Sequence, residues 1–125
     1  MYGLPRLLEE LRALGYEVGE LTATTGEKFA VVSPFVVPGG RFTGRTIDLG
    51  LQGTADFPRT VASAIHVRAI PPLYDTADSV PNVRNIQPSV LGPDWRYWSH
   101  NFGWQAERSA RRLVSQINGI FLNAS

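Results

Sequence analysis

Apolar residues recur at three- and four-residue spacing over residues 4–14. Leu4, Leu7, Leu8, Leu11 and Leu14 share one face, and Glu9, Glu10 and Arg12 take the other. That period is helical. Pro5 suits a first turn and Gly15 a C-terminal cap. The pattern then shortens. Residues 16–24 are mixed, with Val18 and Leu21 as apolar members, and Thr25-Gly26 reads as a turn. Residues 29–32 are aromatic and β-branched, which suits a buried strand. Pro38-Gly39-Gly40 breaks the chain. Residues 46–51 alternate, so Ile47, Leu49 and Leu51 share a face. Residues 64–68 form a fourth strand, with His66 and Arg68 opposite Ile65 and Val67. From 71 to 104 five prolines interrupt the chain and no period is sustained. A long loop is expected there, and long loops in compact domains tend to be functional. Helical spacing returns over about 105–122, where Ala106, Ala110, Leu113, Val114, Ile117, Ile120 and Phe121 line up. The sum predicts a single α+β domain over residues 1–125. Its order is an N-terminal helix, a four-stranded antiparallel meander, a long proline-rich loop and a C-terminal helix.

Composition narrows the chemistry. The chain has no cysteine, which removes disulfides, thiolate metal sites and thiol catalysis together. His66 and His100 are its two histidines, too few for a histidine-rich metal centre, so neither a metal nor an organic cofactor is expected. Twelve basic residues against eleven acidic ones give a net charge of +1, which makes no electrostatic case for nucleic acid. Arg108, Arg111 and Arg112 form a stripe on the last helix that reads as a solvated face. No run approaches the roughly 20 apolar residues of a membrane span. The amphipathic N-terminus lacks the apolar core of a signal peptide. A cytoplasmic protein is expected, with no membrane partner.

The densest chemistry lies in residues 92–104, which hold all three tryptophans together with Asp94, Ser99 and His100. Tryptophan normally anchors a core or a binding surface. Ser99 offers a hydroxyl nucleophile, and His100 offers a side chain that titrates unaided near neutral pH. Adjacent residues point to opposite faces of a strand and diverge by roughly 100° on a helix, so the two can meet only in a tight turn. Asp94 either orients His100 or an incoming amine, or serves the Gly92-Pro93-Asp94 turn. No Gly-x-Ser-x-Gly elbow is present, which argues against a free-standing serine hydrolase.

Several segments together resemble the ubiquitin-conjugating enzyme superfamily, and more narrowly its bacterial branch, the prokaryotic conjugating-enzyme family E. Phe35-Val36-Val37-Pro38-Gly39-Gly40-Arg41-Phe42 looks like that branch's proline-glycine segment. Asp56-Phe57-Pro58 is similar to its junction before the fourth strand. Ile65-His66-Val67 with Pro71-Pro72 resembles the fourth strand and the turn after it. Trp95-Arg96-Tyr97-Trp98-Ser99-His100 looks like its tryptophan-serine-histidine signature, with Trp104 and the final helix following. The resemblance covers residues 4–122. It implies a UBC-like domain whose partners are a ubiquitin-like protein, an adenylating activating enzyme and a protein target. Two departures stand out. The catalytic cysteine is absent, and the chain ends after the helix at 105–122, where the superfamily commonly has two more helices.

The resemblance also implies a site. Without a thiol, the carboxyl of the ubiquitin-like protein would be held as a serine oxyester. A hydroxyl in that role needs a base and an oxyanion stabiliser. Ser99 is one candidate acceptor, with His100 as acid/base. Ser89 is the other. It lies seven residues after Asn82, and Pro81-Asn82-Val83 resembles the segment whose asparagine supports the oxyanion in relatives. A second function stays open: an inactive conjugating-enzyme variant that binds a ubiquitin-like protein as a scaffold.

Overall fold

The structure, a computed structural model, describes residues 2–70, 72–74, 78, 83–105 and 109–123. It is α+β. Helix α1 (Leu4–Ala13) is followed by β1 (Val18–Thr22), β2 (Lys28–Val36), a 3-10 turn (Gly40–Phe42), β3 (Thr46–Gln52), β4 (Ala64–Arg68), β5 (Ile86–Ser89), β6 (Gly92–Ser99) and helix α2 (Ala110–Leu122). The strands form one sheet in the order β1-β2-β3-β4-β6-β5, each pair antiparallel.

The described residues therefore hold six strands, where four were expected. The extra pair falls inside the stretch read as a loop, and proline is the reason it was hidden. Pro88 lies on β5, the edge strand, and Pro93 is the second residue of β6. Proline is tolerated at both kinds of position because a missing N–H there costs few ladder bonds. The same reasoning explains why β2 outruns the expected 29–32. It continues through Pro34, which sits where the register against β3 shifts, between Val32 and Phe35. The final helix begins at Ala110, and Gln105 lies outside it.

Both helices pack on one face of the sheet. Leu7 and Leu11 of α1 share one buried cluster with Ala30, Val32, Leu49, Leu51, Ile65 and Trp98 from the strands and Leu113, Ile117 and Phe121 from α2. Close approach at the 3-10 turn depends on Gly40. Its φ is +78°, and a Cβ there would fall 2.0 Å from the Phe121 carbonyl oxygen. The helices are also tied at their polar ends. Ser109 makes no side-chain cap for α2, and Glu10 of α1 supplies the acceptor instead. Its Oε1 takes the Ala110 N–H at 2.8 Å, and its Oε2 takes Arg6 Nε–H at 2.6 Å.

Among the described residues no helix lies on the other face, yet Phe29, His66 and Trp95 are buried on it. Curling of the sheet accounts for this. A flat sheet of this order would hold its two edge strands about 24 Å apart, five spacings of ~4.8 Å. Instead, Leu21 and Thr22 of β1 line one cavity together with Pro88 and Ser89 of β5. The β5–β6 turn folds inward over β3. Gly50 leaves the room, since a Cβ there would meet Leu91 Cδ1 at 2.9 Å and His66 Cβ and Trp95 Cζ3 at 3.3 Å.

Candidate functional site

Strand β4 sets the site through its alternation. Ile65 and Val67 enter the helix-side core, so His66 faces the concave side, paired with Gly50 of β3 and Tyr97 of β6. Its ring stands edge-on to Phe29 (4.8 Å between centroids) and Tyr97 (5.4 Å). Burial pushes the His66 imidazole down to about 4, against a partial upward pull from the negative charge of Glu27. The ring is therefore neutral at neutral pH. Glu27 is held in place by Thr25 Oγ1 at 3.0 Å and Gln52 Nε2 at 2.7 Å.

A neutral imidazole buried among aromatic rings needs a polar partner. It has one in Ser89, whose Oγ lies 2.7 Å from His66 Nδ1. Ser89 sits at the end of β5, where the chain turns through Val90 and Leu91 into β6. Inside that turn the Leu91 N–H donates to Ser89 Oγ at 3.1 Å. The hydroxyl thus accepts from the backbone while its own proton can point at Nδ1, in the tautomer that carries hydrogen on Nε2. Ser89 is partly exposed and lines a cavity of about 450 Å³ between the ends of the two hairpins. That volume lies within the range of small-molecule pockets. A hydroxyl within hydrogen-bond reach of an uncharged imidazole, beside an open groove, is the geometry of nucleophile and base.

The tryptophan-rich segment is strand β6 rather than a loop. Trp98 packs into the helix-side core opposite Ile65 and Ile86, while Trp95 pairs with Arg68 on the concave side. Trp104 donates its Nε1–H to the Pro58 carbonyl at 2.7 Å, which ties the segment after β6 to the Asp56-Phe57-Pro58 junction. Ser99 ends β6, paired with Ala64, and is 6% exposed. Its Oγ accepts from Arg84 Nε at 3.1 Å. His100 follows, with its backbone N–H on the Ser63 carbonyl and its ring against Phe102 at 4.7 Å. No tight turn folds Ser99 onto His100. Asp94 is exposed near the start of β6, six residues from His100. At ~3.3 Å per residue that is about 20 Å, so Asp94 does not orient that ring. Asn82 lies outside the described residues.

Of the two candidate serines, then, the one in contact with an imidazole is Ser89, and the imidazole is His66, which sequence reasoning had left as an ordinary strand residue. Its alternation opposite Ile65 and Val67 was visible. Its approach to a residue 23 positions away was not, because that depends on the β5–β6 hairpin. Among the described residues, no three His, Asp or Glu side chains gather as metal ligands. None of the described helices is long and apolar enough to cross a membrane. No family model, curated protein or solved structure matches the chain.

Proposed function

We propose that this chain is a ubiquitin-conjugating-enzyme-like protein of a bacterial ubiquitin-like pathway, holding the C-terminal carboxyl of a ubiquitin-like protein as an oxyester on Ser89. The observation that carries the choice of acceptor is the 2.7 Å contact between Ser89 Oγ and His66 Nδ1 beside an open groove. A serine hydroxyl is a weak nucleophile without a neighbouring base, and His66 Nδ1 lies within hydrogen-bond reach of its proton. The order of an N-terminal helix, consecutive antiparallel strands and a final helix is compatible with a UBC-like domain. The β5–β6 hairpin extends that plan beyond its four-stranded form.

The chemistry follows from the pair. An activating enzyme uses ATP to adenylate the carboxyl and passes it on in activated form. Ser89 Oγ attacks the carbonyl carbon, its proton moves to His66, and the activating group leaves with its bonding electrons. An amine of the protein target later attacks the ester, and Oγ recovers a proton as the amide forms. No metal or organic cofactor enters on this chain.

A scaffold reading keeps one specific observation in its favour. Ser99, the serine within the tryptophan-serine-histidine signature, is buried and its hydroxyl is engaged by Arg84. A domain that docks a ubiquitin-like protein without reacting would tolerate that arrangement. The two readings separate when the protein is mixed with its activating enzyme, ubiquitin-like protein and ATP. The expected product is an adduct that survives thiol reductant, is released by hydroxylamine, disappears in Ser89→Ala and persists in Ser99→Ala. Binding without any adduct would establish the scaffold, and an adduct lost only in Ser99→Ala would move the acceptor.

A further inference from the structure

We infer that the Ser89–His66 pair accepts acyl groups directly from small activated esters with compact aliphatic acyl chains, without an activating enzyme. The inference rests on the reading of Ser89 as an acyl acceptor, but it is a distinct activity with its own substrate class. Three features of the concave face carry it.

The first is the reacting pair. Ser89 Oγ is 2.7 Å from His66 Nδ1 and also receives the Leu91 N–H, which holds the hydroxyl in one orientation. A turn serine needs only the Leu91 contact. The added alignment on a buried imidazole is what a general base requires, since proton transfer demands hydrogen-bond reach. The second is access. His66 is sealed behind Phe29 and Tyr97, whereas Ser89 is partly open to the groove, so a ligand meets the hydroxyl and not the base. The third is the groove itself. Its volume of about 450 Å³ is bounded by Leu21 and Ala23 on one side and Pro88, Val90 and Leu91 on the other. Those walls are aliphatic, which suits a short alkyl chain. Thr22 and Thr24 supply hydroxyls at the same wall.

The step balances without a co-reactant. Ser89 Oγ adds to the ester carbonyl as its proton passes to His66. The carbon–oxygen bond to the leaving phenolate breaks, and the phenolate departs with the electron pair. The product is an acyl-Ser89 oxyester. His66 gives its proton up to solvent, and water or a primary amine then adds to the ester from the groove; the nucleophile's proton ends on Ser89 Oγ as the acid or amide leaves.

The test uses the full chain and p-nitrophenyl butyrate at neutral pH. One equivalent of p-nitrophenolate should be released in a burst, with a mass increase of one butyryl group that peptide mapping assigns to Ser89. Adding a primary amine should speed loss of the label and yield the butyramide. Ser89→Ala should lose the burst, and Ser115→Ala on the exposed side of α2 should retain it. If Ser89→Ala does not fold, mapping on the wild-type chain decides alone. Ser89→Cys gives a second check, because the chain has no other thiol and its thioester is unambiguous. No burst, or label found on Lys28 or the N-terminal amine and unchanged in Ser89→Ala, overturns the inference. Burst labelling of Ser89 with no ATP-dependent adduct would sustain this activity while defeating the conjugating-enzyme reading. An adduct on Ser89 with no burst would do the reverse.

Discussion

His66 couples the site to pH. Its folded value of about 4 lies below the ordinary 6.5 because burial penalises the charged ring more than Glu27 favours it. Between those values the unfolded chain binds the proton and the folded chain does not, so stability rises with pH across that window. The contribution is complete above pH 6.5 and is lost as pH falls toward 4, amounting to about 3 kcal/mol at 1.36 kcal/mol per unit. The His66 ring protons, followed by NMR, should therefore stay in the neutral form down to about pH 4–5. Titration near 6.5 would show the ring to be solvated and the pairing with Ser89 wrong. At this scale the strand alternation that turned His66 away from Ile65 and Val67 was legible in the chain. Its protonation state was not, because desolvation is a property of what closes over the ring. Trp98 is a similar case. Its burial could be anticipated from its size, but the face of the sheet it enters depends on registration against Ile65 and Ile86.

Elements read well where one face is apolar and the period is unbroken. In α1, Leu7 and Leu11 are buried and Leu4 and Leu8 pack against the core, while Leu14 has passed out of the helix and is exposed. In α2, Ala110, Leu113, Val114, Ile117, Ile120 and Phe121 are the buried set, all among the residues its spacing had aligned; Ala106, aligned with them, lies outside the described residues. What joins these helices was not readable, because Glu10 looked like part of a wet face. Its carboxylate caps the α2 N-terminus across 100 residues of sequence. Removing a cap costs about 0.5–2 kcal/mol. Glu10→Ala should lower unfolding free energy by about 1 kcal/mol in urea titration, and Glu10→Gln by less, since its carbonyl still accepts. Equal stability of wild type and Glu10→Ala would show that the cap is replaced by water. The β5–β6 hairpin was missed for the reason prolines usually mislead: they mark breaks in a helix or central strand, but not at an edge or a strand's start.

At the scale of the whole molecule, the curl of the sheet makes the site. Two hairpins from opposite edges meet over the concave face, and Gly50 leaves space for Leu91, His66 and Trp95 to close on one another. Overpacking such a position typically costs 1–3 kcal/mol. Gly50→Val should destabilise the protein by about that amount and abolish acyl labelling of Ser89, because Leu91 and the turn that orients Ser89 must move outward. Far-ultraviolet dichroism should be unchanged, since the helix-side core lies on the other face. Full labelling in a folded Gly50→Val chain would mean that the turn does not depend on this packing. By itself the sequence determined the α+β class, both amphipathic helices, the first four strands and, through the absence of cysteine, the exclusion of thiol chemistry. These are local or compositional properties, set by period and side-chain type. Only the tertiary structure decided that residues 86–99 pair as strands, that Ser99 is tied to Arg84, and that Ser89 meets His66. Those outcomes depend on registration and curvature, which bring together groups that no spacing along the chain relates.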